Sequence, residues 1–270
     1  MVVPRGPAAR TIGRGLTLAV ADVLVTGGTG VLGSYLVPRL VARGHDVRVL
    51  SRRPWAEVPA GATGWQGDVL TGEGLAEAVR GTDAIIHAAT SPRRRAKRTE
   101  VDGTRRMVAE ARAADAHLIY VSIVGVDRVG FPYYRAKLAA EQIVEAEGDR
   151  WTIQRATQFH DLLEMALRRR VFAGTHKMPF QPVDAGEVAD RLVDLLDAGP
   201  CGRAQDFGGP ETLAIGDIAL ARRRVTGKRT FVVRLPPVGF LRDFAAGGHL
   251  CPDQADGKIA WEDWLRARTS

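Results

Sequence analysis

Asp22-Val23-Leu24-Val25-Thr26-Gly27-Gly28-Thr29-Gly30-Val31-Leu32-Gly33 is the stretch from which the rest of this chain is read. A short apolar run meets a cluster of glycines, and the glycines open an amphipathic segment that ends at Gly44. Strand, tight turn and helix in that order give the glycines separate tasks: one turns the chain, one lets the backbone approach a pyrophosphate, and one lets the helix pack on the strand. The first helical turn then presents unpaired N–H groups and the positive end of its dipole. Gly28-x-Gly30-x-x-Gly33 and Gly27-x-x-Gly30-x-x-Gly33 are both present in this frame. The reading is a dinucleotide site, with Gly27, Gly30, Val31, Leu32 and Gly33 at the phosphates.

Outward from that point the chain keeps alternating. Residues 45–50 read as a strand, a short helix surrounds 74–79, and 83–88 read as another strand. A helix over 103–114, a strand over 117–121, a helix over 133–146 and a strand over 151–154 follow. This rhythm predicts an α/β fold built on a doubly wound parallel sheet. Uninterrupted apolar strands such as Ala84-Ile85-Ile86 agree, because central parallel strands are covered on both faces. After about residue 155 the rhythm loosens, and prolines at 179, 182, 210, 236, 237 and 252 break the chain into short pieces. These are read as the last of the sheet together with a small substrate-facing cap over 155–270. No internal repeat or low-complexity linker is visible, so 22–270 is taken as one domain.

Composition bounds the partners. A chain of 270 residues, 45% hydrophobic and 26% charged, fits one large domain and excludes disorder throughout. No stretch reaches the roughly 18 to 20 apolar residues that span a bilayer, so no membrane partner is expected. Cys201 and Cys251 are too few for a disulfide framework, and a reducing cytoplasm is the expected location. Net charge is +7, but Arg5, Arg10 and Arg14 precede the first acid, which leaves an excess of four for the remainder. Basic clusters at residues 93–98, Arg168-Arg169-Arg170 and Arg222-Arg223-Arg224 are scattered and carry no interleaved aromatics, so they read as solvated surface and no nucleic acid is expected. The first 21 residues mimic a secretion signal, with arginines, the patch Leu16-Thr17-Leu18-Ala19-Val20 and a small-residue site. They are read as a disordered tail or a start assigned too early.

The acidic residue that receives the adenosine ribose in such sites lies about 20 residues beyond the glycines, at the end of the second strand. Here that place holds Ser51-Arg52-Arg53. A carboxylate there would repel a 2′-phosphate, whereas a guanidinium grips it with charge-assisted hydrogen bonds. The expectation is a preference for NADP(H) over NAD(H), through Arg52 chiefly with Ser51 and Arg53 in support. Asp68, in Gly67-Asp68-Val69-Leu70, is placed either to accept from the adenine amino group or to shape a turn. The loop Ala88-Ala89-Thr90 leaves the fourth strand at the edge of the sheet where ligands bind, and its small side chains leave room for ribose and phosphates.

Tyr133 and Lys137 stand four apart on a predicted helix and therefore share a face. A phenol titrates near 10, and lowering it by 2 to 3 units needs about 3 to 4 kcal/mol of preferential phenolate stabilisation. A neighbouring ammonium has the right sign. Tyr134 offers a competing register. The strand ending Arg155-Ala156-Thr157-Gln158-Phe159-His160 delivers Gln158 and His160 toward a substrate oxygen and Phe159 as a wall, although a lone histidine after a strand is also a common structural hydrogen-bonder. No histidine shows metal-ligand spacing, and no metal is proposed. Asp184 heads a helix over 185–197 and reads as its cap.

At this point a resemblance is plain. Residues 26–33, the Asp68 loop, Val121-Ser122-Ile123-Val124-Gly125-Val126, Tyr133-Tyr134-Arg135-Ala136-Lys137-Leu138-Ala139-Ala140-Glu141 and Gln181-Pro182-Val183-Asp184 together resemble the short-chain dehydrogenase/reductase superfamily. Within it the chain is similar to the atypical, NmrA-like NAD(P)H-binding group, from about residue 22 to the tail. The resemblance implies a Rossmann fold and hydride transfer between a nicotinamide and a carbonyl, enone or quinone. Tyr133 is then the proton donor, Lys137 holds the cofactor ribose, and Ser122 polarises the substrate oxygen. The chain departs from the fuller pattern at Val124, where extended members often carry the active hydroxyl. Proton delivery is then either incomplete or carried by Lys137 alone.

The expected function is an NADP(H)-dependent oxidoreductase of small, largely apolar substrates, an expectation supported by Phe159, Met165, Phe172, Met178 and Phe180 in the cap. The alternative is a non-catalytic NADP(H)-sensing regulatory protein. A monomer, or a homodimer through helices 103–114 and 133–146, fits either.

Overall fold

Hydrogen bonds join seven strands into one parallel sheet, and helices occupy most of the returns between them. The computed structural model describes residues 9–12, 16–53, 58–90, 98–146, 148–169 and 171–269. The chain begins with β1 (Ala9–Ile12), β2 (Leu16–Ala19), β3 (Asp22–Thr26), α1 (Val31–Arg43), β4 (Asp46–Ser51), β5 (Ala62–Gln66), α2 (Leu75–Val79) and β6 (Ala84–His87). A π-helical turn (Arg98–Gly103) leads into α3 (Thr104–Ala113), β7 (His117–Ile123), α4 (Pro132–Glu145), β8 (Trp151–Ala156), α5 (His160–Leu167), β9 (Val171–Gly174) and β10 (Pro179–Phe180). Then come α6 (Ala185–Ala198), β11 (Gly202–Arg203), β12 (Leu213–Ala214), α7 (Ile215–Thr226), β13 (Phe231–Arg234), α8 (Phe240–Ala245), a 3-10 turn (Pro252–Gln254) and α9 (Trp261–Ala267).

The strand order is β11-β8-β7-β6-β3-β4-β5. From β3 the chain builds outward through β4 and β5, then returns to the other side of β3 to lay down β6. That reversal makes the gap between β3 and β6 the topological switch point, the place where open α/β sheets hold their ligands. Registers such as Val25 opposite Val49 on one side and opposite Ile86 on the other confirm the parallel, doubly wound sheet expected from the sequence.

The chain divides into two compact units. The first comprises Met1–Val121, Ala139–Ile153 and Ala189–Ala204, and the second Ser122–Leu138, Gln154–Val188 and Gln205–Ser270. The second unit therefore takes in Ser122–Leu138 as well as much of the stretch expected to form a cap.

In the first unit, successive strand residues face opposite sides of the sheet. Leu24, Ile85, Leu118 and Ile153 share a core with Leu75 and Val79 of α2, Met107 and Val108 of α3, and Ala140 and Val144 of α4. On the other side α1 buries Leu36, Val37 and Leu40. It stops at Gly44, whose left-handed backbone donates back to Leu40 and Val41 in the usual C-terminal motif. Arg39–Asp190 and Arg43–Asp197 contacts, each 2.7 Å, tie α1 to α6.

The second unit has its own core. Leu163 and Leu167 of α5, Phe180, Ile215 and Ile218 of α7, and Trp261, Trp264 and Leu265 of α9 pack together. The indole N–H of the fully buried Trp261 donates to Ile218 O at 3.2 Å. Phe172, Met178 and Phe180, cited from the sequence in support of an apolar substrate, belong to this packing.

Within the segment read as a tail or early start, Ala9–Ile12 pairs with Leu16–Ala19 as an antiparallel hairpin. Residues 1–8 and 13–15 of that segment, and residues 93–97 of the first basic cluster, lie outside the described residues. In the Arg222-Arg223-Arg224 cluster, Arg223 and Arg224 are exposed as expected but Arg222 is not. Arg222 is 2% exposed and makes a two-pronged contact with Glu164, at 2.7 and 3.1 Å.

Candidate functional site

In the first unit the glycine turn is wedged into the switch point. Gly27 has φ of +73°, a left-handed conformation that side chains resist. A Cβ there would also lie 2.7 Å from Ala88 O and 2.8 Å from Ala89 N, so the turn after β3 rests directly on the loop leaving β6. At Gly33 a Cβ would overlap Gly27 O and Gly28 Cα, and its absence lets α1 start against the turn. Gly30 N–H donates to Gly27 O at 2.9 Å, and no side chain caps the helix. The amides of Val31, Leu32 and Gly33 have no intrahelical acceptor to reach, and the first turn carries no acid. A backbone cradle with bare amides and no competing carboxylate suits a pyrophosphate.

The two loops are also tied by side chains. Thr26 Oγ1 accepts from Ala89 N–H at 3.2 Å and pairs with the ring of buried His87 at 2.7 Å. Thr90 Oγ1 donates to Glu100 Oε1, and Tyr120 O–H donates to Glu100 Oε2 at 3.2 Å. Glu100, in the π-helical turn, is wholly buried. Sequence reasoning passed over Glu100 and Tyr120. Nothing in the local pattern distinguishes a buried carboxylate from a surface one, and the partners that accommodate it lie 10 and 20 residues away.

Farther along the edge of the sheet, Ser51 ends β4 and its carbonyl accepts from Gly67 N–H at 2.9 Å, so Ser51 and the Asp68 loop meet. Ser51 Oγ accepts from Arg53 N–H at 3.2 Å, and both Arg52 and Arg53 are exposed. Asp68 Oδ1 accepts from Leu70 N–H at 2.8 Å, which gives it the turn role, while Val69 is buried in the core.

The second unit holds the other candidates. Ser122 is buried near the end of β7, and its Oγ meets no hydrogen-bond partner among the described residues. Two residues on, Val124 is buried and its N–H donates to Ala156 O at 3.0 Å. The turn that follows is pinned where buried Arg155 reaches Asp127 at 3.2 Å. Burial works upward on the Asp127 carboxyl, but Arg155 prevails and holds it below the usual range.

Tyr133 and Lys137 occupy one face of α4. Tyr133 is half-buried with its ring 6.5 Å from Phe131, and Lys137 is buried. Tyr134, the competing register, is buried, and burial pushes its phenol above the ordinary range, against the neighbouring Gln158 amide. Gln158 Nε2 donates to His249 O at 3.3 Å, while its Oε1 has no partner among the described residues. Phe159 precedes α5 and bridges to Val183.

His160 is wholly buried beside Trp261 and Trp264, its Nε2–H donates to Ile259 O at 3.0 Å, its Nδ1 meets no partner among the described residues, and burial lowers its pKa to about 4. Asp184 caps α6 as expected, accepting Glu187 N–H at 3.0 Å.

A family model described as NAD(P)H-binding matches residues 27–198. A 3-beta-hydroxysteroid dehydrogenase of Mycolicibacterium neoaurum is 33% identical over 154 residues, 52% of this chain and 38% of that protein. A 2-alkyl-3-oxoalkanoate reductase of Stenotrophomonas maltophilia is 31% identical over 153 residues, 47% and 46% of the two chains. The matches thus span less than half the length of these relatives. Among solved structures, the Escherichia coli NADPH-dependent quinone oxidoreductase QOR2 with NADPH superposes with a TM-score of 0.73 at 16% identity, covering 92% of this chain and 100% of that one. Thermus thermophilus UDP-glucose 4-epimerase with NAD gives 0.72 at 19% identity, covering 91% and 96%. The likeness to short-chain dehydrogenase/reductase proteins read from the motifs is thereby shown, and at these identities the two structures speak to fold alone.

Proposed function

Because this chain belongs to the NAD(P)H-binding family, we propose that it is an NADP(H)-dependent oxidoreductase acting on a small, largely apolar carbonyl, enone or quinone. The observation that carries the proposal is the seating of Gly27 on Ala88 and Ala89 at the switch point, beside the bare amides of Val31, Leu32 and Gly33. A cradle closed to any Cβ and open to an anion is what a pyrophosphate needs. Names of the sequence relatives, a dehydrogenase and a reductase, support redox chemistry.

In this reading the glycine turn holds the phosphates and Ala88, Ala89 and Thr90 border the adjoining ribose. Asp68 and Val69 border the adenine, with one Asp68 oxygen committed to its turn. Arg52, with Ser51 and Arg53, supports the preference for NADP(H). Ser51-Arg52-Arg53 carries no acid to repel a 2′-phosphate, and the exposed guanidinium of Arg52 meets it without losing an existing buried contact. When bound, the reduced nicotinamide supplies the hydride.

Tyr133 donates the proton to the substrate oxygen. Lys137 holds the ribose and lowers the cost of the Tyr133 phenolate through its charge. Ser122 Oγ, buried and without a partner among the described residues, is available to donate to the same oxygen and makes good the hydroxyl missing at Val124. Gln158 Oε1 and Phe159 face the substrate side. His160, committed to Ile259, is left out. Phe131 and its neighbours Phe240 and Phe244, at 5.1 and 6.1 Å, place Tyr133 in aromatic surroundings and support an apolar substrate.

The test is a titration of the purified protein with NADPH and with NADH, followed by initial rates over quinones, enones and ketones. Tighter NADPH binding with turnover of an apolar carbonyl is expected. Equal affinities would remove the NADP(H) preference, and turnover confined to sugar nucleotides would remove the substrate class.

A further inference from the structure

The second unit carries an apolar face that its own chain does not cover. Among the described residues, nine of the ten large apolar side chains that stand exposed lie between residues 162 and 171 or between 220 and 240. The centre of this face is the parallel pair β9 and β13, in which Val171 is opposite Phe231 and Val233 opposite Ala173. Alternation decides which side each residue takes. Phe172 and Val232 turn inward to the core, while Val171, Phe231, Val233 and Leu235 are exposed, and Val238 and Phe240 continue the exposed run.

Charge says what kind of surface would cover it. Both strands start just after basic residues, Arg168-Arg169 before β9 and Lys228-Arg229 before β13. Because the strands are parallel and in register, those residues gather at the same end of the ribbon. All four are exposed. Arg168 also reaches Glu164 at 3.0 Å, but Arg222 holds that same carboxylate, so the local balance stays positive. Residues 165–183 and 218–242 contain no aspartate or glutamate at all; of the seven arginines and lysines in the second stretch, Arg222 is buried on Glu164 and Arg224 pairs with Glu262 at 2.6 Å.

An exposed apolar face rimmed by bases is the pattern of a surface that rests on anionic headgroups and inserts its apolar side chains between them. We infer that β9 and β13, with the segment up to Phe240, dock this protein on the surface of an anionic phospholipid bilayer. No helix among the described residues is long and apolar enough to cross a membrane. The expectation of no membrane partner rests on that lack of a spanning stretch, and a face lying against headgroups needs none. The exposed run ends at Phe240, whose ring lies tilted against Phe131, and Phe131 meets Tyr133 edge-on. If the redox reading is right, a lipophilic substrate leaving the bilayer would meet the proton donor along this line. The docking itself does not depend on that reading.

Sedimentation of the full chain with vesicles tests it, comparing phosphatidylcholine alone with phosphatidylcholine enriched in phosphatidylglycerol. Binding to the anionic vesicles is expected, weakening as salt shortens the reach of the rim charges. Lys228→Gln with Arg229→Gln should weaken it about five-fold per base removed. Phe231→Ser with Val238→Ser should weaken it by about tenfold or more through lost apolar insertion. Melting temperatures of both variants should match the wild type, since each side chain is exposed. Binding without preference for the anionic vesicles, or no binding at all, would overturn the inference. So would self-association that the Phe231 and Val238 substitutions abolish, or retention on a polyanion such as heparin or duplex DNA that they leave unchanged together with vesicle binding. None of these readouts uses turnover, so the inference and the proposed activity fail separately.

Discussion

Gly27→Ala is the perturbation that asks most directly whether the switch point holds a ligand, because Gly81 provides a matched control. The two glycines have nearly the same backbone, φ of +73° and +74°. A Cβ at Gly81 would meet nothing within 4 Å among the described residues, whereas one at Gly27 would lie 2.7 Å from Ala88 O. Both substitutions carry the left-handed strain of an L-residue, about 1 to 2 kcal/mol. Only Gly27→Ala adds crowding against backbone that no rotamer change relieves, which costs a further 1 to 3 kcal/mol or thereabouts. For a chain of this size each kcal/mol lowers Tm by roughly 2 to 4 °C. Gly81→Ala should therefore melt a few degrees early and bind NADPH within twofold of the wild type. In Gly27→Ala the turn and the Ala88-Ala89 loop must separate. Where NADPH needs the turn and loop closed together again, that 1 to 3 kcal/mol is restored on binding and weakens NADPH by about 5- to 150-fold. Fluorescence titration and thermal melts on the three proteins make the comparison. NADPH binding that is equal in the two variants would refute the assignment of the phosphates to this turn.

Arg52→Asp should weaken NADPH by about 10- to 100-fold, the worth of charge-assisted hydrogen bonds, while NADH changes little; a parallel loss of both in titrations would remove Arg52 from the 2′-phosphate. Arg222→Ala should cost about 3 kcal/mol, the low end for breaking a buried pair because Arg168 still reaches Glu164, and a loss under 1 kcal/mol in denaturant melts would contradict the buried bridge. Acid should destabilise the protein in a defined window. Burial lowers His117, His160 and His249 to about 4 from an ordinary value near 6.5, so below 6.5 the unfolded chain takes up protons that the folded one refuses. Stability contributed by the neutral rings is then complete above pH 6.5 and is lost as pH falls toward 4, by at most about 3 kcal/mol per ring. His249→Phe, placed in the same aromatic surroundings, should show a shallower fall in Tm across that window, and an unchanged slope would count against the assignment.

How much of this was legible beforehand follows the range over which each feature is determined. The strand, turn and helix around residues 22–44 could be read because strand pattern, glycine placement and amphipathic spacing are local and agree with one another. The helices at 103–114 and 133–146 and the cap at Asp184 could be read for the same reason, and each stands within a residue or so of its expected limits. What was missed depends on partners far along the chain. One arginine of the Arg222-Arg223-Arg224 run is buried because Glu164, 58 residues earlier, turns inward to meet it, and no local pattern separates Arg222 from its neighbours. For His160 the sequence left open a substrate contact and a structural hydrogen bond, because the acceptor its ring meets, Ile259 O, lies 99 residues later. The proposed docking face arises from a register between residues 171 and 231, in a region that the sequence showed only as short pieces between prolines.

The central claim is that a bound nicotinamide cofactor does chemistry here with Tyr133 as the proton donor. It is tested by following NADPH oxidation over quinones, enones and ketones for the wild type and Tyr133→Phe, with NADPH affinity measured on both. Turnover that falls by about a hundredfold or more in the variant, with affinity held within a few-fold, is the expected result. Tight NADPH binding with no turnover of any substrate would contradict the claim and leave a cofactor-sensing protein, and turnover that survives in Tyr133→Phe would remove Tyr133 from the reaction.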